Sequence, residues 1–288
     1  MAINPSAVGT KTTHGTLNWT STDALLYAMG VGAGAHDPAQ ELAFTTENSH
    51  GVAQKVLPTF AVVIGSNEPP AEENPFAAIG DFSLAQILHG GQKVVLHGSL
   101  PVSGSVELTS VVTGIYDKGR NAVVETGAEL RDVETGRLLA ETVSTIVVRG
   151  EGGFGGNPGR TLAWEPPDRS PDVVVSYPTA PSQALLYRLS GDRNPLHADP
   201  WFARQAGLDR PILHGLCTYG FTGRALLHEV CGGDPAVFGS MDARFSAMVH
   251  PSDVIDVRIW KTEYGARFQS WVGDRVVLDR GEFVLRAS

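Results

Sequence analysis

The tetrapeptide Ala24-Leu25-Leu26-Tyr27 returns as Ala184-Leu185-Leu186-Tyr187, 160 residues further along a 288-residue chain. Each copy opens a short helical stretch that runs into Gly- and Asp-rich sequence, so the chain has to fold as two like units. Between them, from Gly150 to Pro171, GEGGFGGNPGRTLAWEPPDRSP lacks any apolar periodicity and holds the densest glycine and proline of the chain; it reads as a linker. The expected division is residues 1–150, a linker over 151–171, and residues 172–288. Each unit closes in alternating or β-branched runs, at 93–97, 105–112, 122–126 and 142–148 in the first and at 254–260, 267–272 and 281–285 in the second. Turn signals at 101–104, 117–119 and 264–265 separate them at hairpin spacing. Helix first and antiparallel strands afterwards predicts an α+β class with helices on one face of the sheet. Residues 212–227 are apolar on nearly every side and predict a helix buried all round, which a sheet must wrap. The first unit starts a similar segment at Leu57-Pro58-Thr59-Phe60. From Ser66 it breaks into SNEPPAEENPFAAIGDF, whose prolines cannot continue a buried helix, so a truncated helix is expected there.

Composition narrows the function classes. With 31 acidic against 22 basic residues the net charge is −9, which argues against nucleic acid or an anionic membrane as partner. An anionic ligand would need a local cationic pocket. No apolar run approaches the ~20 residues of a bilayer-spanning helix, and the N-terminus shows no basic flank before an apolar stretch, so a cytoplasmic address is expected. Two cysteines, Cys217 and Cys231, suit a reducing compartment and cannot make a disulfide framework. The oligomeric state is open, with a homodimer compatible. A G-x-G-x-x-G match at Gly150, Gly152 and Gly155 follows a strand-like run, but Pro158, Pro166 and Pro167 come next where a dinucleotide loop must open a helix, so it is not a nucleotide site.

The dense polar run is Tyr187-Arg188-Leu189-Ser190-Gly191-Asp192-Arg193-Asn194-Pro195-Leu196-His197-Ala198-Asp199-Pro200. Asp192, Asn194 and His197 sit on a Gly/Pro-broken segment that can curl toward one point. A carboxylate and an imidazole can exchange protons with a water that an amide orients. The competing reading is an Asx turn at Asp192 and a helix N-cap at Asp199, with His197 a packed histidine. Gly215, in Ile212-Leu213-His214-Gly215, begins the buried helix, where its amide is a donor suited to a developing oxyanion, or else marks close helix packing. His197, Asp199 and His214 could suggest a metal, but their spacing lacks a cysteine partner and no metal is expected.

The run Tyr-x-Leu-Ser-Gly-Asp-x-Asn-Pro-Leu-His-x-Asp-Pro, followed by Pro-Ile-Leu-His-Gly-Leu-Cys-Thr-Tyr-Gly, resembles the (R)-specific 2-enoyl-CoA hydratases of the MaoC-like hot-dog family. That family includes the hydratase units of peroxisomal multifunctional β-oxidation enzymes. In the first half, residues 45–50, Leu57-Pro58-Thr59, Ile87-Leu88-His89-Gly90 and Asp117-Lys118-Gly119 resemble the family's non-catalytic repeat, so the likeness runs over essentially the whole chain. The resemblance implies a double hot dog, two fused units each with a helix wrapped by an antiparallel sheet, the first non-catalytic and the second catalytic. It implies an acyl-CoA thioester substrate, trans-2-enoyl-CoA going to (3R)-3-hydroxyacyl-CoA in fatty-acid metabolism, with no cofactor beyond the CoA of the substrate.

By the same resemblance Asp192 and His197 are the acid/base pair, Asn194 helps to hold the water, and the Gly215 amide receives the thioester oxygen. Ligand-facing positions carry over to His89, Gly90, Lys118 and Phe245. For Lys118 the physics agrees, since a cation in a Lys-Gly turn can approach a CoA phosphate. Applying the 160-residue spacing puts Gly32, Gly34 and Asp37 where Asp192, Asn194 and His197 stand, so one active site per chain is expected, with His197 as the base. The broken helix would leave room for long acyl chains. Rival readings are a carrier-protein 3-hydroxyacyl dehydratase running in reverse, a thioesterase, and a non-catalytic acyl-CoA-binding subunit.

Overall fold

The computed structural model describes residues 3–66, 78–83, 86–159 and 163–287. The first half supplies β1 (Lys11–Trp19), β2 (Ile87–Leu96), β3 (Gly104–Asp117), β4 (Ala122–Asp132) and β5 (Leu138–Val148). The second supplies β6 (Val173–Pro178), β7 (Phe238–Phe245), β8 (Val254–Thr262), β9 (Gly265–Val272) and β10 (Arg275–Leu285). All pairings are antiparallel, and the ten strands form one sheet in the order β1-β3-β4-β5-β2-β7-β10-β9-β8-β6. Read outward from the β2/β7 seam, each strand meets its counterpart of the other half, which is the side-by-side double hot dog that the resemblance implies. The seam pairs Gly91 with Arg244 through Val95 with Ser240.

Helices with both ends among the described residues are α1 (Ser21–Gly30), α2 (Leu42–Thr45), α3 (Gln183–Tyr187), α4 (Pro200–Gln205) and α5 (Gly215–Glu229). The two Ala-Leu-Leu-Tyr copies fall on α1 and α3, which pack on each other across the halves. The Tyr27 and Tyr187 rings lie 6.1 Å apart, and Gln183 Nε2 donates to the Gly30 carbonyl at 2.6 Å. The repeat that reveals the duplication is therefore also the contact that joins its copies.

The helix expected from residue 212 begins at Gly215, and its residues Cys217 to Leu227 are buried. β6, β7, β8 and β10 cover one flank. The first half covers the other: a Cβ on Gly220 would stand 2.4 Å from Val31 Cγ1 and one on Gly223 would stand 2.5 Å from Thr59 Cγ2. Only glycine permits that approach. The first-half counterpart of α5 is a short 3-10 helix, Pro58–Val62, followed by a turn to Ser66; residues 67–77 of the proline- and acid-rich segment lie outside the described residues. Strands β1, β6 and β7 depart from the expectation. β1 carries a bulge between His14 and Thr16 that interrupts alternation, β6 is only 6 residues long, and β7 breaks its apolar pattern with Gly239, Asp242 and Arg244.

A charge cluster built on the buried Arg224 ties the first half to α5. Arg224 Nε and Nη2 donate to the two Glu41 oxygens at 3.1 and 2.6 Å, Arg224 Nη1 donates to the Val31 carbonyl at 2.8 Å, and His228 Nε2 meets Glu41 Oε1 at 2.8 Å. The guanidinium also lies 4.6 Å over the Tyr177 ring. Burial raises the Glu41 carboxyl, but the bonds from His228 and Arg224 outweigh it and hold its pKa at about 2. Arg224→Met keeps the packed stem and leaves that carboxylate with an incomplete set of partners, so it should cost about 3–5 kcal/mol of stability by chemical denaturation. A loss below about 1 kcal/mol, the range of exposed pairs, would contradict the cluster's role.

Candidate active site

The loop from Ser190 to Pro200 is shaped by its own polar residues. Asp192 Oδ1 accepts the Asn194 amide at 3.1 Å, an Asx turn. Asn194 Oδ1 accepts the Leu196 amide at 3.0 Å and caps the 3-10 turn Pro195–His197. Asp199 accepts the Trp201 amide at 2.8 Å and caps α4. The turn-making reading is what these bonds show, and they leave Asp192 Oδ2 and the Asn194 side-chain nitrogen outside them. Gly191, at φ 129, brings the loop against Ser66 of the first half, where a Cβ would stand 2.4 Å from the serine Cβ.

His197 is buried, and its Nδ1 donates to the Ile212 carbonyl at 2.9 Å. The Nε2 lone pair is thereby directed to Asp192, with Oδ2 at 3.9 Å. That gap is too long for a direct hydrogen bond and short enough for one water to touch both groups. Burial lowers the His197 pKa below its ordinary 6.5, a shift that the Ile212 bond and the Asp192 charge only partly offset. The ring is a neutral base at neutral pH. Asn194, its oxygen engaged, keeps its amide N–H groups to donate.

His214, which caps α5, stacks on His197 with ring centroids 3.8 Å apart and 28° between planes. Gly215 follows at the first helical position, where its amide has no intrahelical acceptor. A Cβ there would press on the Phe245 ring at 3.2 Å. The Phe245 ring in turn lies 4.8 Å from that of His89. On β2 the register shifts between His89 and Gly91, so Gly90 forms a bulge, and such bulges re-aim neighbouring side chains. His89 meets Ser144 Oγ at 3.0 Å, and burial lowers its pKa to about 4, with hydrogen bonds to the Gly91 backbone and the Gln92 side chain and the Asp192 charge opposing.

The structure thus gathers Asp192, Asn194, His197, Gly215, Phe245 and His89 around one end of α5. Lys118 is not among them. It is exposed at the β3/β4 turn, at the same end of the sheet, since Ile87, Val148, Ala122 and Asp117 stand in register across β2, β5, β4 and β3. Beside that turn a cleft of ≈ 460 Å³ is lined by Arg120, Asn121, Arg149 and Gly150. The glycine-rich run serves this turn: the amides of Gly119, Gly153 and Gly155 donate to the Asp117 carboxylate at 2.8, 2.9 and 2.8 Å. Asp37, the counterpart of His197, only turns its own loop, accepting the Ala39 amide at 2.9 Å.

Of the three residues weighed as metal ligands, Asp199 is an exposed cap. Asp192, His197 and His214 do bring ligand atoms within 4.8 Å of one another. Stacked imidazoles, however, hold their in-plane lone pairs nearly parallel, whereas zinc needs them to converge at ~2.0 Å. Sequence reasoning treated His214 only as a metal candidate and passed over Ser144; the His-Gly pair at the start of an apolar helix was the available signal for the first.

Two family models match the chain, "MFE-2 hydratase 2 N-terminal domain" over residues 17–150 and "MaoC like domain" over residues 163–279. The chain is 50% identical to 3-hydroxyacyl-thioester dehydratase Y of Mycobacterium tuberculosis, covering 98% of each. This chain belongs to the MaoC-like hydratase family. It is also 42% identical to enoyl-CoA hydratase ChsH3 of the same organism, covering 85% of this chain and 84% of that one. A solved MaoC-like dehydratase of Phytophthora capsici superposes with a TM-score of 0.87 at 33% identity, covering 99% of both chains. A Mycobacterium tuberculosis structure described as a double hot-dog fold shares the fold alone, with a TM-score of 0.55 at 14% identity over 96% and 94% of the chains.

The buried imidazoles set an acid limit on the MaoC-like chain. His89, His197 and His214 all have pKa values lowered mainly by burial, so below the ordinary 6.5 the unfolded chain binds more protons than the folded one. Stability then falls with pH from about 6.5 toward about 4. Glu41 adds to the loss below its ordinary 4.5, because its folded value is about 2. Calorimetry should show Tm falling throughout that window; a Tm that stays level would contradict these assignments.

Proposed function

We infer that the chain is an enoyl-CoA hydratase, adding water reversibly to a trans-2-enoyl-CoA to give the (3R)-3-hydroxyacyl-CoA. It is a hydro-lyase. The observation that carries this reading is the His197 Nε2 aimed at the Asp192 carboxyl across 3.9 Å, beside the free amide end of α5. The names of its relatives support both directions of one reaction, hydration and dehydration. A non-catalytic binding subunit would have no use for an acid/base pair held by this many bonds.

In this reading the thioester oxygen accepts from the Gly215 amide, which draws electron density from the conjugated double bond and leaves the β-carbon electrophilic. A water held by the Asn194 amide and His197 attacks that carbon. Its oxygen and one hydrogen go to the β-carbon, its other proton goes to His197 Nε2, and the Asp192–His197 pair delivers one proton to the α-carbon. The pair takes one proton from the water and gives one to the α-carbon, so it ends in the state in which it began. No metal enters, and the only CoA is the substrate's. His89, Gly90 and Phe245 would line the path of the thioester, and Lys118, with Arg120 and Arg149, would meet the CoA phosphates with the local positive charge that a −9 chain otherwise lacks.

The reading places the chain in the cytoplasm, where its two free, buried cysteines suit a reducing medium, and in fatty-acid metabolism, β-oxidation being the direction in which hydration runs. Among the described residues no helix is long and apolar enough to cross a membrane. The assembly proposed is a homodimer, which sedimentation can test.

With crotonyl-CoA as substrate, Asp192→Asn and His197→Ala should each lower kcat at least about a hundredfold, the low end for losing a general acid or base, while Asn194→Ala should cost less. Near-normal turnover in folded Asp192→Asn would refute the roles. Lys118→Ala should raise KM for CoA thioesters and leave pantetheine thioesters unaffected; equal losses on both would remove Lys118 from the phosphates.

A further inference from the structure

One buried titratable side chain at the site has no part in the steps above. His214 is 1% exposed. Its Nε2 donates to the main-chain carbonyl of Asp192 at 3.2 Å, and its ring face covers His197. A third contact sets the Tyr187 ring 5.0 Å away, and the His214 carbonyl accepts the amides of Cys217 and Thr218 at 3.1 and 3.2 Å to begin α5. One residue thus touches the acid, the base and the helix end that presents the Gly215 amide.

A stacked ring removes rocking of its neighbour about an axis in the plane, and a bond to a main-chain carbonyl fixes the loop that carries a carboxyl. The Ile212 bond of His197 leaves the ring free to swing about that bond; the face contact stops the swing. We propose that His214 is a positioning residue for the hydration step, holding the Asp192 main chain through Nε2 and the His197 ring through its face so that the two reacting groups stay aimed at one water.

This role rests on the hydratase reading and requires His214 to stay neutral as the Nε2–H tautomer: only a protonated Nε2 can bond to the Asp192 carbonyl, and a charged ring would put a second proton on Nδ1, which is buried with no hydrogen-bond partner among the described residues. The groups facing it are His197, Asp192, Arg188 and Tyr187. Burial and the neighbouring His197 and Arg188 disfavour its charged form, with Asp192 opposing.

Three variants separate the links. His214→Phe keeps a ring face and loses the bond, His214→Gln keeps a donor near the Nε2 position and loses the stack, and His214→Leu loses both. Misplacing reacting groups by an ångström costs on the order of a hundredfold. His214→Leu should therefore lower kcat about that much and the other two about tenfold, each with KM within about twofold of the unaltered enzyme. Retention of kcat within twofold by His214→Leu overturns the proposal, as does a loss carried by KM. If the variants fail to fold, nitrogen NMR of the unaltered protein decides: His214 as neutral Nε2–H from about pH 5 to 8 sustains the role, and an Nδ1–H or charged ring overturns it. Absence of hydration by the unaltered enzyme would fall on the hydratase reading instead, with the NMR result still deciding whether His214 holds the loop.

Discussion

The burial of α5 on every side is the constraint on which the rest of the molecule depends. A helix whose residues from Cys217 to Leu227 are all buried cannot be satisfied by one curved sheet, which covers a single flank. The first half supplies the second flank, brought to contact distance by Gly220 and Gly223. Most of the large buried side chains of both halves accordingly belong to one core, from Leu17 and Tyr27 to Phe268 and Phe283. The fused units therefore share one core, and α5 is held from both sides.

That rigidity is what a water-adding site needs. The Asp192 carboxyl and the His197 imidazole come from one loop and the Gly215 amide from the start of α5, and each is fixed by contacts that take no part in the reaction. The Asx turn, the Asn194 cap and the Ile212 carbonyl hold the loop, Ser66 of the first half presses on Gly191, and Phe245 from the seam strand sits on Gly215. The first half thus shapes the loop of Asp192 and His197, while Gly32, Gly34 and Asp37 stand at the corresponding positions of its own repeat. The same burial that makes His197 a neutral base makes the protein vulnerable to acid.

The duplication, the long helix and the closeness of Asp192 to His197 were legible in the sequence, because each is written in local order: a repeated word, an apolar run, a turn-forming loop. The sequence did not carry β7, whose Gly239, Asp242 and Arg244 look like loop until the seam pairs them. Nor did it carry the Glu41–Arg224 pair, whose partners stand 183 residues apart, or the stack of His214 on His197, which depends on where α5 begins relative to a loop upstream. Contacts made only by the tertiary fold leave no period or spacing to read.

The claim that one fixed acid/base pair adds water from one face is tested most directly by the product. The unaltered protein would be incubated with trans-2-decenoyl-CoA in deuterated water, and the product analysed for chirality and label. The account requires (3R)-3-hydroxydecanoyl-CoA alone, carrying one solvent deuterium on the α-carbon. A racemic or (3S) product, or release of free CoA by thioester hydrolysis, would contradict it.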